Sequence, residues 1–186
     1  MNLNSLNIDV SWTLFLDRDG VINRRLPDDY VKTTDEFEFT DGTLEAIADF
    51  TKLFGHIFVI TNQQGVGKGL MSPAKLDEIH QYMTSCISKA GGKIDKVYYC
   101  PDLSQSGSFM RKPNIGMGLR AKKEFPEIQF NKSIMVGDTD SDMKFGKRLG
   151  MKTIFISDDL SEIRKFSKLI HFAFPNLLEL SKAIKL

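Results

Sequence analysis

Four short polar clusters in this 186-residue chain carry side chains that could do chemistry together. Asp17 and Asp19 stand two apart in Phe15-Leu16-Asp17-Arg18-Asp19-Gly20. Thr61 and Asn62 follow an apolar run, and Lys112 sits in Arg111-Lys112-Pro113. Asp138 and Asp142 lie in Gly137-Asp138-Thr139-Asp140-Ser141-Asp142. Crowded carboxylates cost free energy unless a cation or a proton resolves them. Together the clusters supply a carboxylate nucleophile, a second carboxylate, a hydroxyl donor, an ammonium and further acids. That inventory suits phosphoryl transfer through an aspartyl-phosphate. Lys112 offers a point charge and Thr61 a hydrogen bond for phosphoryl oxygens. A hard divalent cation with oxygen ligands would let anionic Asp17 approach an anionic phosphate.

The intervening chain must bring these clusters to one place. Apolar runs over 12–17, 56–60, 96–100, 133–136 and 152–156 read as buried strands, and 170–174 as a further apolar stretch. Helices are expected from Asp41-Gly42, with Asp41 as N-cap, and from Ser72-Pro73, with Pro at the first helical position. Others are expected over 114–125, from the Asp138 cluster to Gly150, over 159–167 and over 177–184. On the second of these, Leu76, Ile79, Met83, Cys86, Ile87 and Ala90 share one face, which makes Cys86 a core residue. Strands alternating with helices predict an α/β fold: a Rossmann-like parallel sheet covered on both faces. Right-handed crossovers then carry all four clusters to one sheet edge, where such folds bind ligands.

One domain over 1–186 is expected, with a polar leader at 1–11, a flap at 20–40 and a loop at 101–110. No insertion is large enough for a substantial cap, so the site should be open. Lys plus Arg number 25 against 24 Asp plus Glu. A net charge of +1 gives no field that favours nucleic acid or an anionic membrane. No apolar stretch nears the roughly 20 residues that span a bilayer. The first residues lack a basic region followed by an apolar run, so a cytoplasmic location is expected. His56, His80 and His171 are scattered and read as structural. Gly65-Val66-Gly67-Lys68-Gly69 fails the P-loop pattern, since Gly69 stands where Ser or Thr is required, and reads as a substrate loop.

The four clusters, in this order, resemble the four motifs of the haloacid dehalogenase-like hydrolase superfamily. The resemblance runs along nearly the whole chain through 15–23, 30–42, 60–69, 98–101, 111–113, 135–143 and 172–184. It is closest to the cap-less phosphatases that include the heptose 1,7-bisphosphate 7-phosphatases and the histidinol-phosphate phosphatases. It implies Asp17 as nucleophile and Asp19 as the acid that protonates the leaving oxygen and then activates water. It implies Thr61 and Lys112 on the phosphoryl group, and Asn62 closing that site through its backbone. Mg2+ would be held by Asp17, the Asp19 carbonyl and Asp138, with Asp142 orienting bound water or Lys112. Arg111 and Lys68 would reach a distal group or phosphate. Many relatives carry a zinc loop, but here its positions are Cys100, Asp102, Ser108 and Met110, so no zinc is expected and the loop must hold itself by other means. A small phosphate ester is the implied substrate, a heptose 1,7-bisphosphate first and histidinol phosphate as the alternative. A nucleic-acid 3'-phosphatase is disfavoured by charge, and a non-catalytic phosphate-binding protein by the intact catalytic positions. With no large cap to pair, a monomer is expected.

Overall fold

A computed structural model describes residues 3–185; the first two residues of the expected leader and Leu186 lie outside the described residues. Six strands are parallel neighbours in one sheet: β1 (Thr13–Leu16), β2 (His56–Asn62), β3 (Lys96–Cys100), β4 (Ser133–Gly137), β5 (Lys152–Ile156) and β6 (Phe172–Phe174). Their order is β3-β2-β1-β4-β5-β6. The helices are α1 (Thr43–Leu53), α2 (Gln64–Gly67), α3 (Pro73–Lys89), α4 (Gly116–Glu124), α5 (Asp140–Leu149), α6 (Leu160–Lys165) and α7 (Leu177–Lys185).

All four β1 residues are buried, as a central strand covered on both faces requires. Alternate residues feed two cores. Leu14, Leu16, Val59 and Val136 pack with Ile47 and Phe50 of α1, Ile79 of α3 and Leu180 of α7. Phe15, Phe58, Ile60 and Met135 face the other way, toward Met117 and Ala121 of α4 and Phe145 of α5. Leu16, the last residue of β1, is in register with Val59 of β2 and Val136 of β4, and β2 runs on past that level to Asn62. The chain runs outward from β1 through β2 to β3, then returns to place β4 on the other side of β1. That reversal opens the crevice where such sheets bind ligands.

Local details depart from the sequence reading. Asp41 does not cap α1: Gly42 takes that place at φ 72° with no side-chain cap bond, and Asp41 accepts from Arg24 Nη2 at 3.0 Å instead. Ser72 does cap α3, accepting from the Lys75 N–H with Pro73 in the first turn. β2 runs two residues past its expected end, because Thr61 and Asn62 still pair with Tyr99 and Cys100. The stretch expected as a polar leader includes a 3-10 turn at Leu3–Leu6 whose Leu3 is buried in the larger core. Cys86 is only half-buried on α3, and the buried thiol is Cys100. Within 20–40, Val21, Ile22, Val31 and Phe37 are buried, which ties the segment down without regular strand or helix.

Candidate active site

Asp17 directly follows β1, and its N–H still donates to the Val136 carbonyl of β4 at 2.9 Å. The chain then turns sharply, with the Gly20 N–H donating to the Asn23 carbonyl at 2.7 Å. Gly20 sits at φ +87°, and a Cβ there would lie 1.9 Å from Asp138 Oδ2. Only glycine lets the β1 turn pass this close to the acid beyond β4.

Lys112 is the hub of the first half of the site. Its buried Nζ forms ion pairs with Asp17 Oδ1 at 2.8 Å and Asp142 Oδ1 at 2.5 Å and donates to the Ile60 carbonyl at 2.6 Å. Burial works against its charge, but Asp142 and Asp17 outweigh burial and raise its pKa. Asp142 is turned inward by a capping box on α5, where its Oδ2 accepts from the Thr139 N–H and hydroxyl. Gly137 allows that inward turn, since a Cβ there would meet Asp142 Cβ at 2.2 Å.

Among the described residues, Asp17, Asp138 and Asp142 offer carboxylate oxygens that all lie within 4.8 Å of one another. Burial first, then repulsion from Asp142, raises the Asp17 carboxyl to about 6 despite Lys112. Burial and the Asp17 charge raise Asp138 well above its ordinary value. Three hard oxygen donors, two of them destabilised as anions, fit a hard divalent cation such as Mg2+.

Asp19 faces the opposite way. Its Oδ1 accepts from Arg18 Nη2 at 2.9 Å and from Asn23 Nδ2 at 3.0 Å. Its Oδ2 accepts from Gln63 Nε2 at 2.7 Å, and the same amide group donates to Thr61 Oγ1 at 2.8 Å. Burial pushes the Asp19 carboxyl up, but the Arg18 charge and these donors together bring it below its usual range.

The structure brings every site residue expected from the sequence to this sheet edge. Asp17, Asp19, Thr61, Asn62, Lys68, Arg111 and Lys112 line one cleft of about 460 Å³, and Asp138 and Asp142 lie against its floor through Asp17 and Lys112. Asn62 also has a side-chain role: Nδ2 donates to the Lys112 carbonyl and Oδ1 accepts the Lys112 N–H, both at 3.0 Å. A reciprocal amide pair of this kind pins the backbone that carries the lysine. Lys68, just after α2, donates to the Tyr30 hydroxyl at 3.0 Å. Gln64 donates to the same hydroxyl at 2.8 Å, so Tyr30 joins the cleft wall. Arg111 Nη1 donates to the Asp102 carbonyl at 3.0 Å. Among the described residues, neither Lys68 nor Arg111 forms an ion pair.

Four contributors escaped sequence reasoning. Arg25 donates through Nη2 to Asp138 Oδ1 at 3.0 Å and to the Asp19 carbonyl oxygen at 3.3 Å. Arg18, Asn23 and Gln63 surround the Asp19 carboxylate. For Arg18, Asn23 and Gln63 the signal was adjacency: each lies within four residues of a named acid or of Thr61. The loop at 101–110 is held by hydrogen bonds. Cys100 Sγ donates to Asp102 Oδ2 at 3.5 Å, Asn114 Nδ2 to the Ser108 carbonyl at 2.9 Å, and the Ser104 N–H to Gln64 Oε1 at 3.2 Å.

A family model described as HAD-hydrolase-like matches residues 109–180. The D-glycero-alpha-D-manno-heptose-1,7-bisphosphate 7-phosphatase of Campylobacter jejuni is 36% identical over 172 residues, covering 92% of this chain and 95% of its own. The D-glycero-beta-D-manno-heptose-1,7-bisphosphate 7-phosphatase of Pasteurella multocida is 33% identical over 180 residues, covering 92% and 96%. Among solved structures, a D,D-heptose 1,7-bisphosphate phosphatase from B. bronchiseptica, complexed with magnesium and phosphate, superposes with a TM-score of 0.82. It is 26% identical, over 94% of this chain and 98% of that one. Fold, acid cluster and family model define the class as haloacid dehalogenase-like hydrolases. Within that class, the chain belongs to the family of the heptose 1,7-bisphosphate 7-phosphatases. No helix among the described residues is long and apolar enough to cross a membrane.

Proposed function

We propose that this chain is a Mg2+-dependent phosphatase that removes the 7-phosphate of a D-glycero-D-manno-heptose 1,7-bisphosphate through an aspartyl-phosphate. The observation that carries the substrate is the pair Lys68 and Arg111. Both line the cleft that holds Asp17, and neither has a carboxylate partner. A second phosphate on the substrate would satisfy them, although a lysine there binds it as a point charge without the fork of an arginine. Histidinol phosphate has no second phosphate and carries an ammonium that the same two cations would repel.

Asp17, the Asp19 carbonyl and Asp138 would hold the cation, which supplies the charge compensation that an anionic nucleophile and an anionic phosphate need. Both donors to Asp17, Lys112 Nζ and the Arg18 N–H, fall on Oδ1. Oδ2 then attacks phosphorus as the bond to the sugar oxygen breaks. Thr61 Oγ1 accepts from Gln63, which directs its own proton toward a phosphoryl oxygen. Asp19 gives its proton to the departing sugar oxygen. The arriving phosphate dianion raises the Asp19 pKa and so favours the protonated form that this step needs. Ionised again, Asp19 takes a proton from water, which attacks phosphorus, frees Asp17 and releases inorganic phosphate.

The test is phosphate release from both anomers of the heptose bisphosphate and from histidinol phosphate, with Mg2+ or EDTA, beside Asp17→Asn. The α anomer comes first, because relatives named for it are 36% to 39% identical against 33% to 35% for the β anomer. Turnover of the heptose bisphosphate that needs Mg2+ and vanishes in Asp17→Asn is expected. Turnover of histidinol phosphate alone would overturn the substrate, and activity surviving Asp17→Asn would overturn the nucleophile.

A further inference from the structure

Behind Asp19 lies a buried pair that the chemistry above does not use. Arg18 is wholly shielded from solvent. A buried guanidinium is costly unless it is paired and its hydrogens are placed. Its Nε and Nη2 both reach Asp19 Oδ1, at 3.3 and 2.9 Å. Its Nη1 lies 3.2 Å from Nε2 of His80, a buried residue of α3. A guanidinium has donors only, so His80 Nε2 is the acceptor and the ring is neutral, with its proton on Nδ1. Burial first, and the Arg18 charge second, hold the His80 pKa down at about 3, in keeping with that neutral ring. The ring is flanked by Tyr99 of β3, with centroids 5.6 Å apart at 56°. A helix and a strand thus fix the imidazole, the imidazole fixes one end of a rigid planar fork, and the other edge of the fork meets Asp19.

We propose that His80 is a positioning residue for proton transfer by Asp19, acting through Arg18. By taking Nη1 it aims the Nε and Nη2 edge at Asp19 Oδ1. Oδ2, which has Gln63 as its one side-chain donor, is left to exchange the proton. The inference rests on Asp19 being the acid that protonates the leaving oxygen. An apolar side chain at 80 would leave a buried N–H of Arg18 without an acceptor and free the fork to tilt.

The test compares an alkyl phosphate, the heptose bisphosphate, with p-nitrophenyl phosphate, whose leaving group departs without protonation. In a folded His80→Leu variant with an unchanged melting temperature, kcat/KM for the alkyl phosphate should fall about tenfold, a part of the roughly 10²–10⁴-fold that proton transfer contributes. The same ratio for p-nitrophenyl phosphate should stay within about twofold. His80→Gln, which keeps an acceptor, should restore the alkyl rate. Arg18→Lys, which keeps the charge but lacks the fork, should repeat the selective loss, so the pair remains testable even if His80→Leu does not fold. Asp19→Asn is the control and should show the same selectivity in larger measure. Equal losses on both substrates in Asp19→Asn would overturn the acid role, and His80's with it. Selective loss in Asp19→Asn with equal or no losses in His80→Leu and Arg18→Lys would overturn the positioning role alone.

Discussion

Asp17 and Asp19 are two residues apart, and the protein treats them in opposite ways. Asp17 is buried beside two other acids, and burial first, then repulsion from Asp142, raises its carboxyl to about 6 against the pull of Lys112. Asp19 is wrapped by Arg18, Asn23 and Gln63 and lies below its ordinary range, although burial pushes the other way. The turn at Gly20 passes close against Asp138, and Asp19 just before it meets the buried Arg18. One carboxylate sits where a cation is needed, and the other already has its charge compensated by the protein. That division allows two identical side chains to take two different parts in one reaction.

The largest effect should come from erasing the first environment. Asp17→Asn should lower phosphatase activity by about 10⁴-fold or more, as expected for a covalent nucleophile, measured as single-turnover phosphate release. Gly20→Ala should collapse the distinction sterically. Its Cβ would meet Asp138 Oδ2 at 1.9 Å in a left-handed backbone, so a loss of about 2–4 kcal/mol is expected by chemical denaturation. A smaller loss would mean that the β1 turn and Asp138 can move apart.

The cation should reveal the first pole through pH. The Asp17 pKa is raised from 3.8 to about 6, so its contribution to stability is present below about 4 and is lost as pH rises through 6. Above pH 6 the protein without cation carries that penalty, and a bound cation relieves it. The gain in melting temperature from millimolar Mg2+ should therefore be larger at pH 7.5 than at pH 5, where protons compete for the same oxygens. An equal gain at both pH values would break the account of this pole.

The second pole predicts the opposite slope. The His80 pKa is lowered from 6.5 to about 3, so its contribution is present above 6.5 and is lost as pH falls from there toward 3. Relative to wild type, His80→Gln should lose less stability between pH 6.5 and 4, by up to about 1 kcal/mol per pH unit, read from urea midpoints. Smallest of all, Gln63→Ala removes one donor to Asp19 and should reduce kcat by about tenfold while leaving Mg2+ stabilisation unchanged.

Much of the sheet was legible before any coordinates, because runs such as Leu14-Phe15-Leu16 and Ile57-Phe58-Val59-Ile60 are too apolar to lie anywhere but a two-faced core. Site residues at strand ends were legible for the same reason: a buried strand followed abruptly by acids needs a purpose at its carboxyl end. Caps were less so. Asp41 lost its place to Gly42 because Arg24, seventeen residues earlier, claimed it. The side-chain role of Asn62 was not legible because its partner, the Lys112 backbone, lies 50 residues away in sequence.

By itself the sequence determined the kinds of group available: two acids after one strand, a hydroxyl after the next, an ammonium, and two acids after the fourth. Strand periodicity and local turn chemistry act over a few residues, so they are written in the chain itself. Only the tertiary structure decided which acid is destabilised and which is satisfied. That depends on burial and on charges brought in from distant segments: Lys112 and Asp142 around Asp17, and Gln63 and the His80-backed Arg18 around Asp19. Phe15–Asn23 places both carboxylates on nine residues of chain, and the packing behind them gives each its part.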